Sequence, residues 1–337
     1  MKILYVAMAH EYGRPELGPS FEEMNFRSAF EGMGHDVHAF DFRARFDAVG
    51  REAMERELVG MAADLRPDLA FFFLHEEELR PETIREVAHA GSCVTMNWFA
   101  DDHWRFEGFT RHYAPAFDWS VTTDRDSLAK YRGLGYGGAL LSQWGVNRYA
   151  YRKTAEGIEQ DVSFVGLPHG DRRVVVARLA EEGHEVRCWG EGWPSGRIDH
   201  DGMVHVFGAS AINLNLSNSS TLPRTLRFRL GALARGRWSD ARQSRPRPTQ
   251  IKGRTFEVPG SGGFLLTEAA PHLDEYFVPG REIGVFRDTD DLVVQVRHWL
   301  STPEERTAVA EAGHRRALAE HTYDHRFAQI FTAAGLG

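Results

Sequence analysis

Apolar residues fall along this chain in short dense runs, separated by longer stretches in which they recur at helical spacing. Lys2 to Met8 is the first run, and it ends in the polar loop His10 to Ser20. Helical spacing follows from Phe21 to Met33 through Phe26 and Phe30, Gly34 closes it, and Asp36 to Phe40 reads as a second strand. Further strands are expected at Asp68 to Leu74, after a helix over Arg51 to Leu65, at Ser92 to Phe99 and at Trp119 to Thr122. Runs this uniformly apolar suit parallel strands covered on both faces, and their alternation with helices predicts a doubly wound α/β sheet. Ligands of such a sheet lie beyond the carboxyl ends of its strands, which singles out the loops after Met8, Leu74 and Phe99.

Periodicity lapses over Ser142 to Tyr151 and restarts at Asp161 to Val165. A helix is expected over Arg172 to Glu182, strands at His184 to Trp189, Ala211 to Leu216 and Gly263 to Leu266, and helices at Asp290 to Leu300 and Pro303 to Glu320. Tyr323 to Ala334 carries Phe327, Ile330 and Phe331 on one helical face. A chain of 337 residues exceeds the size at which one core stops growing. The expected division is 1–148, 149–320 and a C-terminal helix, 321–337, packed back on the first domain.

Composition narrows the class. Hydrophobic residues at 42% and charged residues at 26% are ordinary for folded domains, and a net charge of -8 argues against a non-specific nucleic-acid coat. Cys93 and Cys188 are the only cysteines and lack metal or disulfide spacing, which fits a reducing cytoplasm. MKILYVAMA reads as a first strand, and no apolar run is long enough to span a bilayer. One segment departs from the average. Residues 221–250 hold eight arginines against the single acid Asp240, either a basic insertion for an anionic partner or a segment packed on its own domain.

Candidate chemistry concentrates in Ile251 to Glu268, IKGRTFEVPGSGGFLLTE. Lys252 and Arg254 suit phosphate oxygens, Glu257 suits ribose hydroxyls, and Gly260, Gly262 and Gly263 would let the backbone approach a ligand. The same residues also read as a surface salt-bridge cluster before a turn. Asp101 and Asp102 follow an apolar strand, at an address where a carboxylate deprotonates an acceptor hydroxyl; they read equally as helix N-caps, or with His103 as hard metal ligands. His75, beside Glu76 to Glu78, ends another strand and serves as either a substrate contact or a structural histidine. His10 and the loop through Gly18 and Ser20 follow the first strand without a GxGxxG fingerprint. In the second half, Gly166 and Arg172 follow one strand, and Gly190 to Trp193 follow the next, with Trp189 or Trp193 either stacking on a base or filling the core.

Taken in order, NWFADD at Asn97 to Asp102, VTTD at Val121 to Asp124, VSFVG at Val162 to Gly166, INLNLS at Ile212 to Ser217, QIKGRTFEVPGSGGFLLTE at Gln250 to Glu268 and HTYDHRF at His321 to Phe327 carry a resemblance. The chain resembles the GT-B glycosyltransferases and, more narrowly, the spore maturation protein CgeB family, whose C-terminal half is a glycosyltransferase family 1-like module. The resemblance implies two Rossmann-like domains facing each other across a cleft, with the acceptor on the N-terminal domain and the nucleotide sugar on the C-terminal one. It implies a hexosyltransferase-type enzyme without cofactor or metal that moves a sugar from a UDP-, GDP- or dTDP-sugar to an acceptor hydroxyl, on a glycan, protein, small molecule or other polymer. Retention is expected ahead of inversion. It further implies that Asp101, Asp102 and His75 supply catalysis, that Glu257 grips the ribose, and that Lys252, Arg254 and Arg172 meet the diphosphate. Gly190, Trp193, Gly262 and Gly263 complete the donor site, and His10, Gly18 and Ser20 line the acceptor side. Related retaining enzymes keep a second glutamate eight residues before the first; here that position is Thr249. Two other functions remain open, a sugar-nucleotide epimerase or hydrolase on the same fold, and an assembly protein that uses the basic insertion.

Overall fold

The structure, a computed structural model, describes residues 1–154, 157–217 and 249–336. Residues 221–248 of the basic stretch therefore lie outside the described residues. The chain divides into two compact units, Met1–Ala150 with Thr322–Gly337, and Tyr151–His321. Both are α/β units of the Rossmann type, each built on one parallel sheet.

The first unit carries β1 (Lys2–Ala7), β2 (Asp36–Asp41), β3 (Leu69–Phe72), β4 (Val94–Phe99), β5 (Trp119–Thr122) and β6 (Ala139–Leu141), in the order β2-β1-β3-β4-β5-β6. Every pairing is parallel. Alternate residues of the buried strands feed two separate cores, as a period of two requires. Leu4, Val6, Phe72 and Phe99 pack with Met54, Leu58, Ile84 and Val87 on one face. Ile3, Tyr5, Phe71 and Trp98 pack on the other with Phe26, Phe30 and the C-terminal helix Tyr323–Ala333, whose Phe327 ring lies 4.2 Å from that of Phe30.

The second unit carries β7 (Gln160–Val165), β8 (Val186–Trp189), β9 (Ser210–Asn215), β10 (Leu265–Glu268) and β11 (Gly284–Phe286), in the parallel order β11-β10-β9-β7-β8. Helices Arg172–Glu181 and Thr289–Ser301 cover the face that holds Ile212, Leu214, Leu266 and Phe286. The short helix Arg254–Gly260 lies on the opposite face, where Thr255 meets Asn215.

One strand sits two residues later than its apolar run predicts. β10 begins at Leu265 rather than Gly263, because Gly263 belongs to the turn that presses helix Arg254–Gly260 against helix His200–Ala209; a Cβ there would stand 2.4 Å from the Phe207 carbonyl oxygen. The shift makes Glu268 the last residue of β10, at the carboxyl end of the sheet.

Candidate functional site

In the second sheet β7 lies between β8 and β9, so the chain leaves β7 to one side and later returns to the other. Such a reversal opens a crevice at the carboxyl ends of the two central strands. Arg172 spans that point. Its Nη1 donates to the Leu167 carbonyl at 2.8 Å and its Nη2 to the Leu216 carbonyl at 2.9 Å, tying the loop after β7 to the end of β9. The guanidinium carbon lies 5.3 Å from the Phe164 ring centre, and the buried Nε has no hydrogen-bond partner. Burial lowers the Arg172 pKa to about 10; the Arg254 charge pushes the same way, and Glu268 opposes it. The side chain remains a cation at neutral pH.

Beside Arg172 opens a cavity of ≈ 380 Å³, lined by Leu216, Thr249, Glu268, Phe286 and Thr289 among others. Glu268 reaches it because strand residues alternate: Leu266 and Glu268 face this side, Leu265 and Thr267 the other. Thr249 Oγ1 donates to the Ala269 carbonyl at 2.6 Å, and Ser217 Oγ donates to Glu268 Oε2 at 3.4 Å.

The Ile251 to Glu268 motif is divided between the two faces. Arg254 pairs with Glu257, lies 5.4 Å from the Phe207 ring centre, and is 28% exposed along its side chain. Glu257 is fully buried, and its second oxygen, Oε1, has no hydrogen-bond partner. A surface salt bridge is thereby excluded as the reading of this pair. Asn215 Nδ2 donates to Thr255 Oγ1 at 3.3 Å and to Thr267 Oγ1 at 3.0 Å, locking the start of the helix to the ends of β9 and β10. The two faces meet electrostatically at Arg172, which feels both Arg254 and Glu268.

Several expected ligand groups have other work. Gly262, at φ 78°, and Gly263 form the turn at the amino end of β10, remote from the ligand end, and they serve close packing rather than backbone approach to a phosphate. Gly190, at φ 139°, is required because a Cβ would stand 2.4 Å from the Gly166 carbonyl oxygen. Trp193 donates from its indole Nε1 to that same carbonyl at 2.8 Å and packs edge-on to Phe164, with the Arg173 guanidinium over its face. It is a wedge between strand ends rather than an open stacking platform.

The first sheet reverses between β1 and β3, which places the loop His10 to Ser20 and the loop carrying His75 at one crevice. His75 Nε2 lies 3.1 Å from Glu22 Oε1, and the ring sits 5.0 Å from that of Phe73. The loop is held in shape by Glu78, which accepts from the backbone of His75 and Glu76, and by Asn97 Oδ1, which accepts from Leu74 N at 3.1 Å. Burial works against the charged imidazole, but the hydrogen bond and charge of Glu22 outweigh it and raise the His75 pKa. Burial likewise works against the Glu22 carboxylate, and His75 outweighs it and lowers the Glu22 pKa. Nothing in the local pattern marks Glu22, since Glu22 and Glu23 together look like the wet side of a helix.

Within the same loop, Gly18 has φ 85° and its carbonyl accepts from Glu11 N, while His10 bridges Pro19 and accepts from Gly13 N. Ser20 is buried; its hydroxyl donates to the Met8 carbonyl at 2.7 Å and accepts from Glu23 N at 3.0 Å, so it starts the helix and does not reach a ligand.

Asp102 departs furthest from expectation. It is fully buried, accepts from Thr110 Oγ1 at 2.6 Å and from the Tyr131 hydroxyl at 2.7 Å, and presents no oxygen to a crevice. It is neither an open base nor a metal ligand. Burial raises its pKa to about 6 despite hydroxyl donation from Thr110, Thr122 and Tyr131. Asp101 stands at the N-cap without a side-chain cap bond and lines a cavity of ≈ 20 Å³ with His75 and Arg105, room for about one water. Of the three catalytic candidates, His75 and Asp101 share a cavity. Among the described residues no three His, Cys, Asp or Glu side chains gather as a metal site, and no helix is long and apolar enough to cross a membrane.

Comparison with known proteins adds the family context. Residues 172–332 match a family model described as glycosyl transferase-like. No curated protein matches the sequence significantly. Sucrose-phosphate synthase from Thermosynechococcus elongatus is similar over 99% of this chain and 98% of its own, with 11% identity and a TM-score of 0.63. Anabaena HepE, solved in complex with UDP and glucose, is similar over 99% of each chain, with 11% identity and a TM-score of 0.64. A trehalose-6-phosphate synthase studied for glycosyl transfer with retention is similar over 100% of each chain, with 9% identity and a TM-score of 0.57. These neighbours have the GT-B fold, and the two Rossmann-like units share it. The family match and the neighbours together support a GT-B glycosyltransferase, and they favour neither an epimerase or hydrolase nor an assembly protein.

Proposed function

We propose that this chain is a CgeB-like hexosyltransferase of the cytoplasm that moves a sugar from a UDP-sugar to an acceptor hydroxyl, without a metal and with retention of configuration. The observation that carries the reading is the charge arrangement at the reversal of the second sheet, where Arg172 is buried beside both Arg254 and Glu268. Two neighbouring cations at a strand-end crevice suit a nucleoside diphosphate, whose negative charge grows as it leaves. Lys252 extends that cationic edge. Glu257, buried with one oxygen unpartnered, supplies an acceptor for the ribose hydroxyls. UDP is the preferred nucleotide because HepE was solved with UDP and with UDP-glucose, and retention is preferred because a trehalose-6-phosphate synthase neighbour was studied for it.

The first unit supplies the acceptor side. His75, oriented by Glu22, receives the acceptor's proton, and Asp101 in the same cavity orients the hydroxyl or a bridging water. The cation pair and the acceptor base are each ordinary contributions to positioning and charge stabilisation.

A thermal-shift screen against UDP-, GDP-, dTDP- and CDP-sugars tests the donor assignment. A ligand at 100 times its dissociation constant stabilises by about 2.7 kcal/mol, well within reach of the measurement. UDP-sugars are expected to raise the melting temperature most, and silence across the panel would remove the donor assignment.

A further inference from the structure

We infer that Arg105 binds an anionic group of the acceptor, a carboxylate or a phosphate, a role that deepens the acceptor-side reading above and rests on it. Arg105 ends the short helix Asp102–Arg105 after β4, and its backbone amide donates to the Asp101 carbonyl at 2.9 Å. Its side chain is partly buried and lines the ≈ 20 Å³ cavity with His75, Asp101, Phe109 and Thr110. The guanidinium carbon lies 5.3 Å from the Trp104 ring centre and 5.1 Å from that of Phe109, which the π-helical turn Phe106–Thr110 carries back toward it. The rings hold the guanidinium by cation–π attraction, and its planar N–H fork matches two oxygens of one carboxylate or phosphate.

Among the described residues no carboxylate pairs with that fork, because the nearby acids are engaged elsewhere. Glu107, two positions on, pairs with Arg111 at 2.7 Å. Glu78 accepts from the backbone of His75 and Glu76, and Glu22 pairs with His75. Asp102 accepts from the Thr110 and Tyr131 hydroxyls. Asp101 lines the same cavity but forms no ion pair with Arg105. The Arg105 charge nevertheless reaches the proposed base: burial and Arg105 both work against the charged His75 ring, which Glu22 and Glu78 favour. A partly buried cation is costly while nothing neutralises it, and an anion on the acceptor would supply the missing charge. With room for about one water, the cavity admits a single oxygen, so the rest of the anion stands at its mouth. An acceptor held there is positioned to present a hydroxyl to His75 on the same wall.

Isothermal titration of the full chain with glucose, glucuronate and glucose 6-phosphate, for the wild type and for Arg105→Gln, tests the assignment. The three sugars share a ring and differ in charge at one end of it. Saturating UDP in one series keeps the anions off the donor phosphate site, and a second series omits it. At least one charged sugar is expected to bind the wild type more tightly than glucose and to lose about tenfold or more in Arg105→Gln. Loss confined to glucuronate would assign a carboxylate, and loss confined to glucose 6-phosphate a phosphate. A wild type that binds neither charged sugar better than glucose, or a variant that binds them equally well, would overturn the inference. UDP affinity, expected to be the same in both proteins, is measured alongside. A wild type that does not bind UDP would remove the donor reading, while the series without UDP still decides Arg105. If Arg105→Gln does not fold, Arg105→Met, which keeps an apolar stem against the two rings, takes its place with the same outcomes.

Discussion

The imidazole Nε2 of His75 stands 3.1 Å from Oε1 of Glu22, and this contact joins the loop after β3 to the helix after β1 across the reversal of the first sheet. Glu22 holds the His75 pKa above its ordinary 6.5, and His75 holds that of Glu22 below 4.5. The histidine's contribution to stability is present below the unfolded value and is lost as pH rises through the raised one. The glutamate's is present above its unfolded value and is lost as pH falls through the lowered one. Both are full only between 4.5 and 6.5. Glu22→Gln should therefore lower the melting temperature more near pH 5.5 than near pH 8.5, in thermal scans at about those values. In the reaction, a base works as the neutral ring, so activity should rise through the raised pKa and its acid limb should move to lower pH in Glu22→Gln. A limb that stays in place would remove His75 as the base.

Asp102 titrates in the opposite sense to most folded carboxylates. Its pKa near 6, against an ordinary 3.8, means that the folded state holds its proton more tightly than the unfolded chain does. Stability should fall as pH rises between those values and level off above them, by an amount on the order of 3 kcal/mol. Asparagine does not ionise and keeps an acceptor oxygen for one of the Thr110 and Tyr131 hydroxyls, which bind different carboxylate oxygens, while its amide can donate to the other. Asp102→Asn is expected to flatten the decline in melting temperature between about pH 4 and pH 6. An unaltered decline would show that Asp102 is not its source.

Arg254 and Glu257 cannot be treated as separate donor contacts. Removing the guanidinium leaves a fully buried carboxylate whose second oxygen is already unpartnered, a change that costs about 3–5 kcal/mol when a buried pair is broken. Arg254→Ala should thus lower both stability and turnover. Combining it with Glu257→Gln should recover much of the melting temperature without restoring donor affinity. Chemical denaturation of the two single variants and the double variant measures the coupling, and additive losses would contradict it. Lys252→Ala, which leaves the Arg254–Glu257 pair itself intact, is a second test of diphosphate charge and should raise the donor KM.

The two-sheet architecture was legible because strands buried on both faces must be apolar throughout, and nearly all the long runs became strands. β6 and β11 escaped because three residues, Ala139 to Leu141 and Gly284 to Phe286, carry too little pattern to separate from a loop. Helix His200–Ala209 escaped because its buried residues, Val204, Val206, Phe207 and Ala209, are few and bunched, and Gly202 and Gly208 interrupt them, so no clear stripe marks its period. Strand order is a tertiary property, and with it the two reversals that bring Glu22 to His75 and Arg172 to Leu216. Sequence could name His75 and Arg172 as strand-end residues but not Glu22, whose burial depends on a neighbour 53 positions away. Asp102 shows the converse. Its address after β4 was right, and its side chain turned inward because Thr110 and Tyr131 offer hydroxyls there.

Gly263 separates packing from ligand contact most directly. A Cβ at this position would stand 2.4 Å from the Phe207 carbonyl oxygen, which is backbone, and 2.9 Å from Asn213 Nδ2, the tip of a short side chain. Asn213 is itself held by bonds to the Phe207 and Phe264 carbonyls, so it cannot give way cheaply. Overpacking of this kind costs about 1–3 kcal/mol. At Gly262 the added Cβ would instead meet the flexible stem of Lys153 at 2.7 Å, and the cost there comes from φ 78°, about 1–2 kcal/mol for a residue with a Cβ. Gly263→Ala should lower the melting temperature and leave the affinity for UDP unchanged. Loss of UDP affinity at unaltered stability would return the glycine turn to the ligand site and reverse the assignment made from its position at the amino end of β10.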